Sequence, residues 1–435
     1  MNGKRKNLVF LLDALCASDV EFIKDLPHMG RVLREGALIE HVEPIYPSFT
    51  YPCHCAIITG NTVKGHGIPH NQMLEIENND APWYRERKYL KCDTIFDYAH
   101  RAGLTTCSLS WPVSGGADID YNMPMIVPMN YTGYDPLQYL IGNASQNLLD
   151  AYYWKYGRYI KGQDRSLDLF TMALAPDIIR DFGQPDLMYV KMCDLDTARH
   201  NHGVKCPEAY EQLRKHDEEF AVLEETVRRY GDYENTNFII LGDHGQQDIK
   251  HYVNMNMVLR NAGFITTDAD NKILDYDAYC FSTCMSGWVK LRDPENREKA
   301  EEVYNYLLSL RDDPEFPIGV VMTKEEALER YGLVGQFDFI IEGTEEEPTE
   351  FEATLAGEDI FKVHLGPGLY FSVASHGHLP ERDETTTFFA CGPSIKKGVV
   401  IPRTQMINEA PTMAAMVGLN MDQCEGHVLK ELLAD

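Results

Sequence analysis

The chain has 435 residues, with 40 lysines and arginines against 67 aspartates and glutamates, a net charge of -27 at pH 7. So large an acidic surplus argues against a nucleic-acid polymer or an anionic membrane as a main partner, and any site for an anionic substrate must make its positive potential locally. The length exceeds the usual single-domain size, so a main domain carrying an insertion is expected, and eleven scattered cysteines, an odd number, imply reduced thiols and a cytoplasmic protein.

In chain order, NLVFLL is an unbroken apolar run that reads as a buried strand ending at Asp13. The basic start of MNGKRKNLVFLLDALC invites a signal-peptide reading, but the run is short and Asp13 interrupts it. No later apolar stretch has the length of a membrane span. EFIKDLPHMGRVLREG reads as an amphipathic helix, and in SFTYPCHCAIITG Thr50 stands ahead of a short helix with proline in its first turn. IFDYAHRAG predicts another helix and TTCSLSW a strand. The tyrosine-rich stretch from Tyr131 to Tyr159 predicts loops and helices over the site, its rings serving substrate contact or core packing. DLMYV and its continuation form a strand leading to Asp196, PEAYEQLRKHDEEFAVLEETVRRYG a long helix closed by glycine, and NFIILG a strand ending at Asp243. Residues 270–368 read as an inserted lobe, with SGWVKL, NREKAEEVYNYLLSL, GVVMT, KEEALERYG and FDFIIEG as its elements and GTEEEPTEFEAT as a solvated acidic loop. The chain then returns through LYFSVASHGH. The alternation predicts an α/β fold: a doubly wound, mostly parallel central sheet with helices on both faces and an inserted small α+β lobe, divided 1–269, 270–368 and 369–435.

Asp13, Asp196 and Asp243 each follow a strand, and in a parallel sheet the carboxyl ends of the strands share one edge, so the three acids converge. His244 adjoins Asp243, and His200 lies one helical turn from Asp196, with His202 a neighbouring candidate. Carboxylate and imidazole together suit zinc-like divalent ions, and a paired site can grip the attacking and leaving oxygens of a phosphoryl transfer. Singly, each residue has a plainer reading: a helix cap for Asp13 or Thr50, a strand-loop junction for Asp243 with His244, a turn residue for Asn71. Cys53 with Cys55, and Cys280 with Cys284, lack the second pair a zinc finger needs. A threonine hydroxyl is a poor nucleophile at neutral pH; a metal ion and a positive helix terminus both favour its alkoxide.

The first-strand aspartate, TYPCH with GHGIPHN downstream, SLSWPV, the D-x-x-x-H pair, the strand-DHG pair and the terminal HGH follow one another from about residue 6 to about residue 400. In that order they resemble the alkaline phosphatase superfamily and, within it, the nucleotide pyrophosphatase/phosphodiesterase branch. The resemblance implies a metal-dependent phosphoric diester hydrolase that opens phosphodiester or phosphoanhydride bonds through a covalent intermediate on Thr50. It implies two divalent ions, zinc first, with manganese or iron as alternatives. Asp13, Thr50, Asp243 and His244 would hold one, and Asp196, His200 and His376 the other, register choosing His376 over His378. Asn71 matches the residue that helps hold a non-bridging phosphate oxygen. Tyr51, directly after Thr50, matches an aromatic that stacks on a nucleobase, but Lys191 stands where a second such aromatic aligns. Lys191 is either a strand-end lysine with a solvated tip or an inward contact for a substrate carboxylate or phosphate. The inward reading keeps a phosphonoacetate hydrolase-like activity as the alternative. A non-catalytic metal-binding scaffold or sensor is the alternative of another class, and the intact nucleophile argues against it. The expected partner is a small phosphodiester, nucleotide or phosphonate, with the oligomeric state left open.

Overall fold

The computed structural model describes residues 4–434 except 79–80, 127–134, 162–164, 358, 363–371 and 383. Eight strands form the central sheet: β1 (Lys6–Leu12), β2 (Ala37–Glu43), β3 (Thr106–Leu109), β4 (Tyr121–Met123), β5 (Leu187–Met192), β6 (Thr236–Gly242), β7 (Thr386–Cys391) and β8 (Val400–Gln405). Their order is β8-β2-β7-β6-β1-β5-β3-β4, and β7 alone runs against the others. The expected doubly wound sheet is therefore present.

Side chains of β1 alternate between two helical layers, which is why that strand is apolar throughout. Phe10 packs on Phe220 of the helix Pro207–Tyr230, ring centroids 5.7 Å apart. Asn7, an odd number of positions away, donates instead to the Met413 carbonyl at 2.8 Å in the helix Glu409–Met416. The long helix begins at Pro207, with the Cys206 thiol accepting from the Ala209 N–H, and ends at Gly231, as proline at the first position and glycine after the last turn predict.

Two local expectations are corrected. The helix read from EFIKDLPHMGRVLREG is two short ones, Val20–Ile23 and Met29–Glu35. Pro27 has no N–H and disfavours helical backbone at Leu26, and the second helix restarts where Asp217 accepts from the amides of His28 and Met29 at 3.1 and 2.6 Å. The acidic loop contains a strand, Thr349–Glu352, lying parallel to His251–Asn254. Thr349 and Phe351 are buried and alternate with Glu350 and Glu352, the period of a half-buried strand overriding the charge. The tyrosine-rich stretch begins among residues 127–134, outside the described residues. In its described part Tyr152 takes the core-packing role, donating to the Asp177 carbonyl at 3.1 Å in the helix Leu167–Phe182.

Between β6 and β7 lies a second, antiparallel sheet in the order Ala278–Thr283, Ser286–Leu291, Phe339–Glu342, Val320–Thr323, accompanied by the helices Arg297–Arg311 and Lys324–Tyr331. Its Trp288 and Ile340 belong to the same buried apolar cluster as Phe10 and Ile240 of the central sheet. The bounds 270–368 stand as a proposal, and the return at 369 falls within 363–371, outside the described residues. Among the described residues no helix is long and apolar enough to cross a membrane.

Candidate metal centre and nucleophile

Strands β6, β1 and β5 are adjacent, parallel and level at their carboxyl ends, where Leu12 pairs with both Gly242 and Met192. The next residue on β1 is Asp13 and the next on β6 is Asp243, so two acids emerge side by side. Asp13 donates its amide to the Met192 carbonyl at 3.0 Å. Ala14 then turns with φ 61°, which aims its N–H at Asp243 Oδ1, 3.0 Å away. The outcome is two buried carboxylate oxygens, Asp13 Oδ1 and Asp243 Oδ2, without a hydrogen-bond partner. Such oxygens are costly unless a cation meets them. His244 Nε2 lies 3.4 Å from each.

Asp196 and His200 sit one turn apart on the helix Asp194–His202, with Asp196 Oδ1 3.3 Å from His200 Nε2. Asp168, buried, accepts from the amides of Cys193 and Asp194 at 2.7 and 3.0 Å and so anchors the start of that helix. His202 is exposed, and Asp194 pairs with Lys215 at 3.1 Å, so neither joins the centre. His376 arrives because Ser375 and Ala374 pair with Gln247 and Asp248, just beyond the DHG turn. Gly377 follows at φ 93°, where a Cβ would stand 2.8 Å from the Phe49 ring, so the glycine of the HGH motif is sterically required. The rings of His376 and His244 stack with centroids 4.0 Å apart.

The described residues thus hold two potential ligand groups, Asp13 with Asp243 and His244, and Asp196 with His244 and His376, each with ligand atoms within 4.8 Å of one another. The outer contacts fix the imidazoles for this task. His200 Nδ1 bonds the Ala374 carbonyl at 2.7 Å and His376 Nδ1 the Ser48 carbonyl at 3.0 Å, leaving both Nε2 atoms as donors to a cation. Burial and the Asp243 charge push the Asp13 carboxyl well above the usual range. Against the cost of burial, His200, His376 and His244 hold Asp196 well below it. Burial lowers His200, but the Asp196 charge outweighs it and lifts the imidazole to about 9. The donor set fits two divalent ions.

Thr50 opens the helix Thr50–Thr59, with Phe49 as its extended N-cap and Pro52 in the first turn. Its Oγ1 lies 3.3 Å from His244 Nε2, next to the residue shared by the two groups. The helix is held in place by His54, whose Nδ1 bonds the Thr50 carbonyl at 2.7 Å, and by Gly60, which closes it at φ 68°. Asn71 Oδ1 accepts from the Tyr51 N–H at 2.9 Å, which leaves the Asn71 amide nitrogen to donate elsewhere.

The family model for type I phosphodiesterase / nucleotide pyrophosphatase matches residues 7–338. The chain belongs to this family. Members hydrolyse phosphodiester bonds, and the chain is a hydrolase of that kind. It is 20% identical over 420 residues to ectonucleotide pyrophosphatase/phosphodiesterase family member 7 of Rattus norvegicus, covering 94% of this chain and 83% of the relative. It is 24% identical to the bis(5'-adenosyl)-triphosphatase ENPP4 of Homo sapiens over 51% of this chain and 43% of that one. The fold matches murine ectonucleotide pyrophosphatase/phosphodiesterase 5 with a TM-score of 0.69 at 16% identity, covering 99% of this chain and all of that one. An inactive variant of the same murine protein, solved with AMP, matches at a TM-score of 0.67 and 16% identity over 99% of this chain and 100% of that one.

Two substrate contacts expected of this family member are corrected. Tyr51 is fully buried, its ring edge-on to Trp83 with centroids 5.2 Å apart, so it presents no exposed face on which a base could stack. Lys191 is fully buried, and its ammonium lies 2.6 Å from Asp13 Oδ2 and 3.0 Å from Cys193 Sγ. It holds one oxygen of Asp13 and leaves the other for the cation, which removes the observation behind the phosphonoacetate alternative.

Lys191→Met is expected to leave Asp13 buried without its counter-charge, at about 3–5 kcal/mol in the metal-free protein. Urea denaturation with and without a chelator checks this, since bound cations should restore much of the loss. Equal stability of variant and parent in chelator would show the pair to be dispensable.

Sequence reasoning missed two further supports. Gln246 donates to Asp196 Oδ1 at 2.6 Å, and its place two residues after His244 was the available signal. Arg199, 1% exposed, donates to the Ala14 carbonyl and meets both oxygens of Asp19 at 2.6 and 2.8 Å. It thereby ties the helix bearing Asp196 and His200 to the turn after Asp13.

Proposed function

We propose that the protein is a two-metal phosphodiesterase of the nucleotide pyrophosphatase type in which Thr50 accepts the phosphoryl group. The observation that carries this reading is Thr50 Oγ1, at a helix N-terminus, 3.3 Å from the histidine common to both ligand groups. Asp13, Asp243 and His244 would hold one ion, with Thr50 beside them, and Asp196, His200 and His376 the other. The ions, zinc by donor type with manganese or iron as alternatives, would supply the charge that lowers the pKa of the hydroxyl and stabilises the leaving oxygen.

Thr50 Oγ loses its proton to solvent and attacks phosphorus as the bond to the leaving ester or anhydride oxygen breaks, and that oxygen leaves with a proton taken from solvent. Water then attacks the phosphorus now held on Thr50, which still carries the substrate's other substituent; the P–Oγ bond breaks, Oγ takes up a proton to regenerate the hydroxyl, and a phosphate monoester leaves. Asn71 donates to a non-bridging oxygen, since its own carbonyl is committed to the Tyr51 amide. The first turn of the helix Thr50–Thr59 places its positive end at the same oxygens.

The murine neighbour's complex with AMP and the name of the human bis(5'-adenosyl)-triphosphatase support nucleotides as candidate substrates. The eleven unpaired cysteines support a cytoplasmic location, whereas the relatives carry the name of ectoenzymes.

Asn71 is neutral and suits the single charge of a diester, so kcat/KM for bis-p-nitrophenyl phosphate should exceed that for p-nitrophenyl phosphate on metal-replete protein. Asn71→Ala should lower kcat/KM for the diester by about 10²- to 10³-fold without changing metal content. A preference for the monoester would remove the diesterase assignment.

A further inference from the structure

His54 stands one turn after Thr50 in the helix Thr50–Thr59 and is fully buried. Its Nδ1 bonds the Thr50 carbonyl at 2.7 Å and also faces Asp243 Oδ2, 3.3 Å away. Both neighbours are acceptors, so Nδ1 carries the ring proton, and that proton lies between the backbone of Thr50 and a carboxylate of the metal centre. The other nitrogen, Nε2, is buried with no hydrogen-bond partner. The ring packs on Trp111 at an angle of 67°, with centroids 4.7 Å apart, and the Trp111 indole N–H is likewise buried without a partner.

Packing does not account for an imidazole here. A buried nitrogen without a partner costs stability, and a phenyl ring of similar volume would fill the same space against Trp111. Neither neighbour of Nδ1 needs the side chain for its own sake. A carbonyl in the first turn of an α-helix accepts from the amide four residues on, and Asp243 Oδ1 already accepts from the amides of Ala14 and His244 at 3.0 Å. What the Nδ1 proton adds is a link between the two. The helix has no side-chain capping bond at its N-terminus, so a turn of its first residues would carry Thr50 Oγ1 away from His244. A misplacement of about 1 Å at a reacting atom can cost about 10²-fold in rate.

We propose that His54 is a positioning residue for the nucleophile, its Nδ1–H fixing the first turn of the helix Thr50–Thr59 against Asp243 so that Thr50 Oγ1 stays at the metal centre, a role in the reaction that rests on the phosphodiesterase reading above.

Two variants of the metal-replete protein separate the proton of this side chain from its bulk. His54→Asn keeps an N–H at the place of Nδ1 but leaves a cavity against Trp111, whereas His54→Phe keeps the ring and loses the N–H. In His54→Phe, kcat for bis-p-nitrophenyl phosphate should fall about 10²-fold with KM within about threefold of the parent. In His54→Asn, kcat should fall no more than about fivefold. Urea should unfold the two in the opposite order, His54→Asn first, because only that variant creates a cavity. In crystals of His54→Phe, Thr50 Oγ1 should be displaced relative to His244 by at least about 0.5 Å, and in His54→Asn it should keep its place. Turnover that follows stability rather than the Nδ1 donor, or an undisplaced Thr50 in His54→Phe, overturns the proposal and leaves the phosphodiesterase reading intact. Absence of diester turnover in the parent removes the phosphodiesterase reading, and the place of Thr50 in the two crystals then decides the role of His54.

Discussion

Thr50→Ala is expected to lower kcat/KM for bis-p-nitrophenyl phosphate by at least about 10⁴-fold, because losing a nucleophile removes a whole covalent route rather than one stabilising contact. The fold should be indifferent. Phe49, with no side-chain capping bond, occupies the N-cap, so Thr50 is the first helical residue and alanine there has the better helix propensity. Stability should therefore stay within about 0.5 kcal/mol of the parent by urea denaturation. Thr50→Ser keeps a hydroxyl at the same place and should recover a measurable fraction of turnover. Acid quenching during turnover, followed by peptide mass analysis, should find a p-nitrophenyl phosphoryl group on the Thr50 peptide of the parent and none in the alanine variant. Turnover of Thr50→Ala within tenfold of the parent would rule out the covalent mechanism.

The central strands were legible because a strand buried on both faces has no room for polar residues, so NLVFLL and NFIILG stand out and their terminal acids with them. His200 was legible through its one-turn spacing from Asp196. What stayed hidden depends on contacts between distant segments. Which way Lys191 points is decided by the register that sets Leu12 beside Met192, and sequence does not record register between strands about 180 residues apart. Tyr51 follows the nucleophile as a stacking residue would, yet the pairing of Tyr84 with Asn71 brings Trp83 against its ring and buries it, and no periodicity marks that pairing. The Ala374 and Ser48 carbonyls that orient His200 and His376 are main-chain atoms, equally invisible in composition. The strand Thr349–Glu352 was concealed by its glutamates, although Thr349 and Phe351 alternate with them.

Removing the cations is expected to have the second large effect. Chelation should reduce diester turnover at least about 10³-fold, since the charge that favours the Thr50 alkoxide is lost, and adding a divalent ion should restore it. Elemental analysis of replete protein should give two ions per chain. His200→Ala should lose close to one on the proposed ligand set, because its Nε2 lies 3.3 Å from Asp196 Oδ1 and it makes no contact with Asp13 or Asp243 among the described pairs. His244→Ala should disturb both, because His244 is the residue common to the two groups. Stability should follow occupancy. Without cations, Asp13 Oδ1 and Asp243 Oδ2 stay buried without a hydrogen bond, only imidazoles at 3.3–3.4 Å facing them, whereas free metal at about 100 times its dissociation constant adds about 2.7 kcal/mol per site to the native state. Chelated protein should therefore unfold at lower urea, and His200→Ala should respond to chelator less than the parent does. Full turnover in protein stripped of its divalent ions would refute the two-metal mechanism, whatever the fate of Thr50.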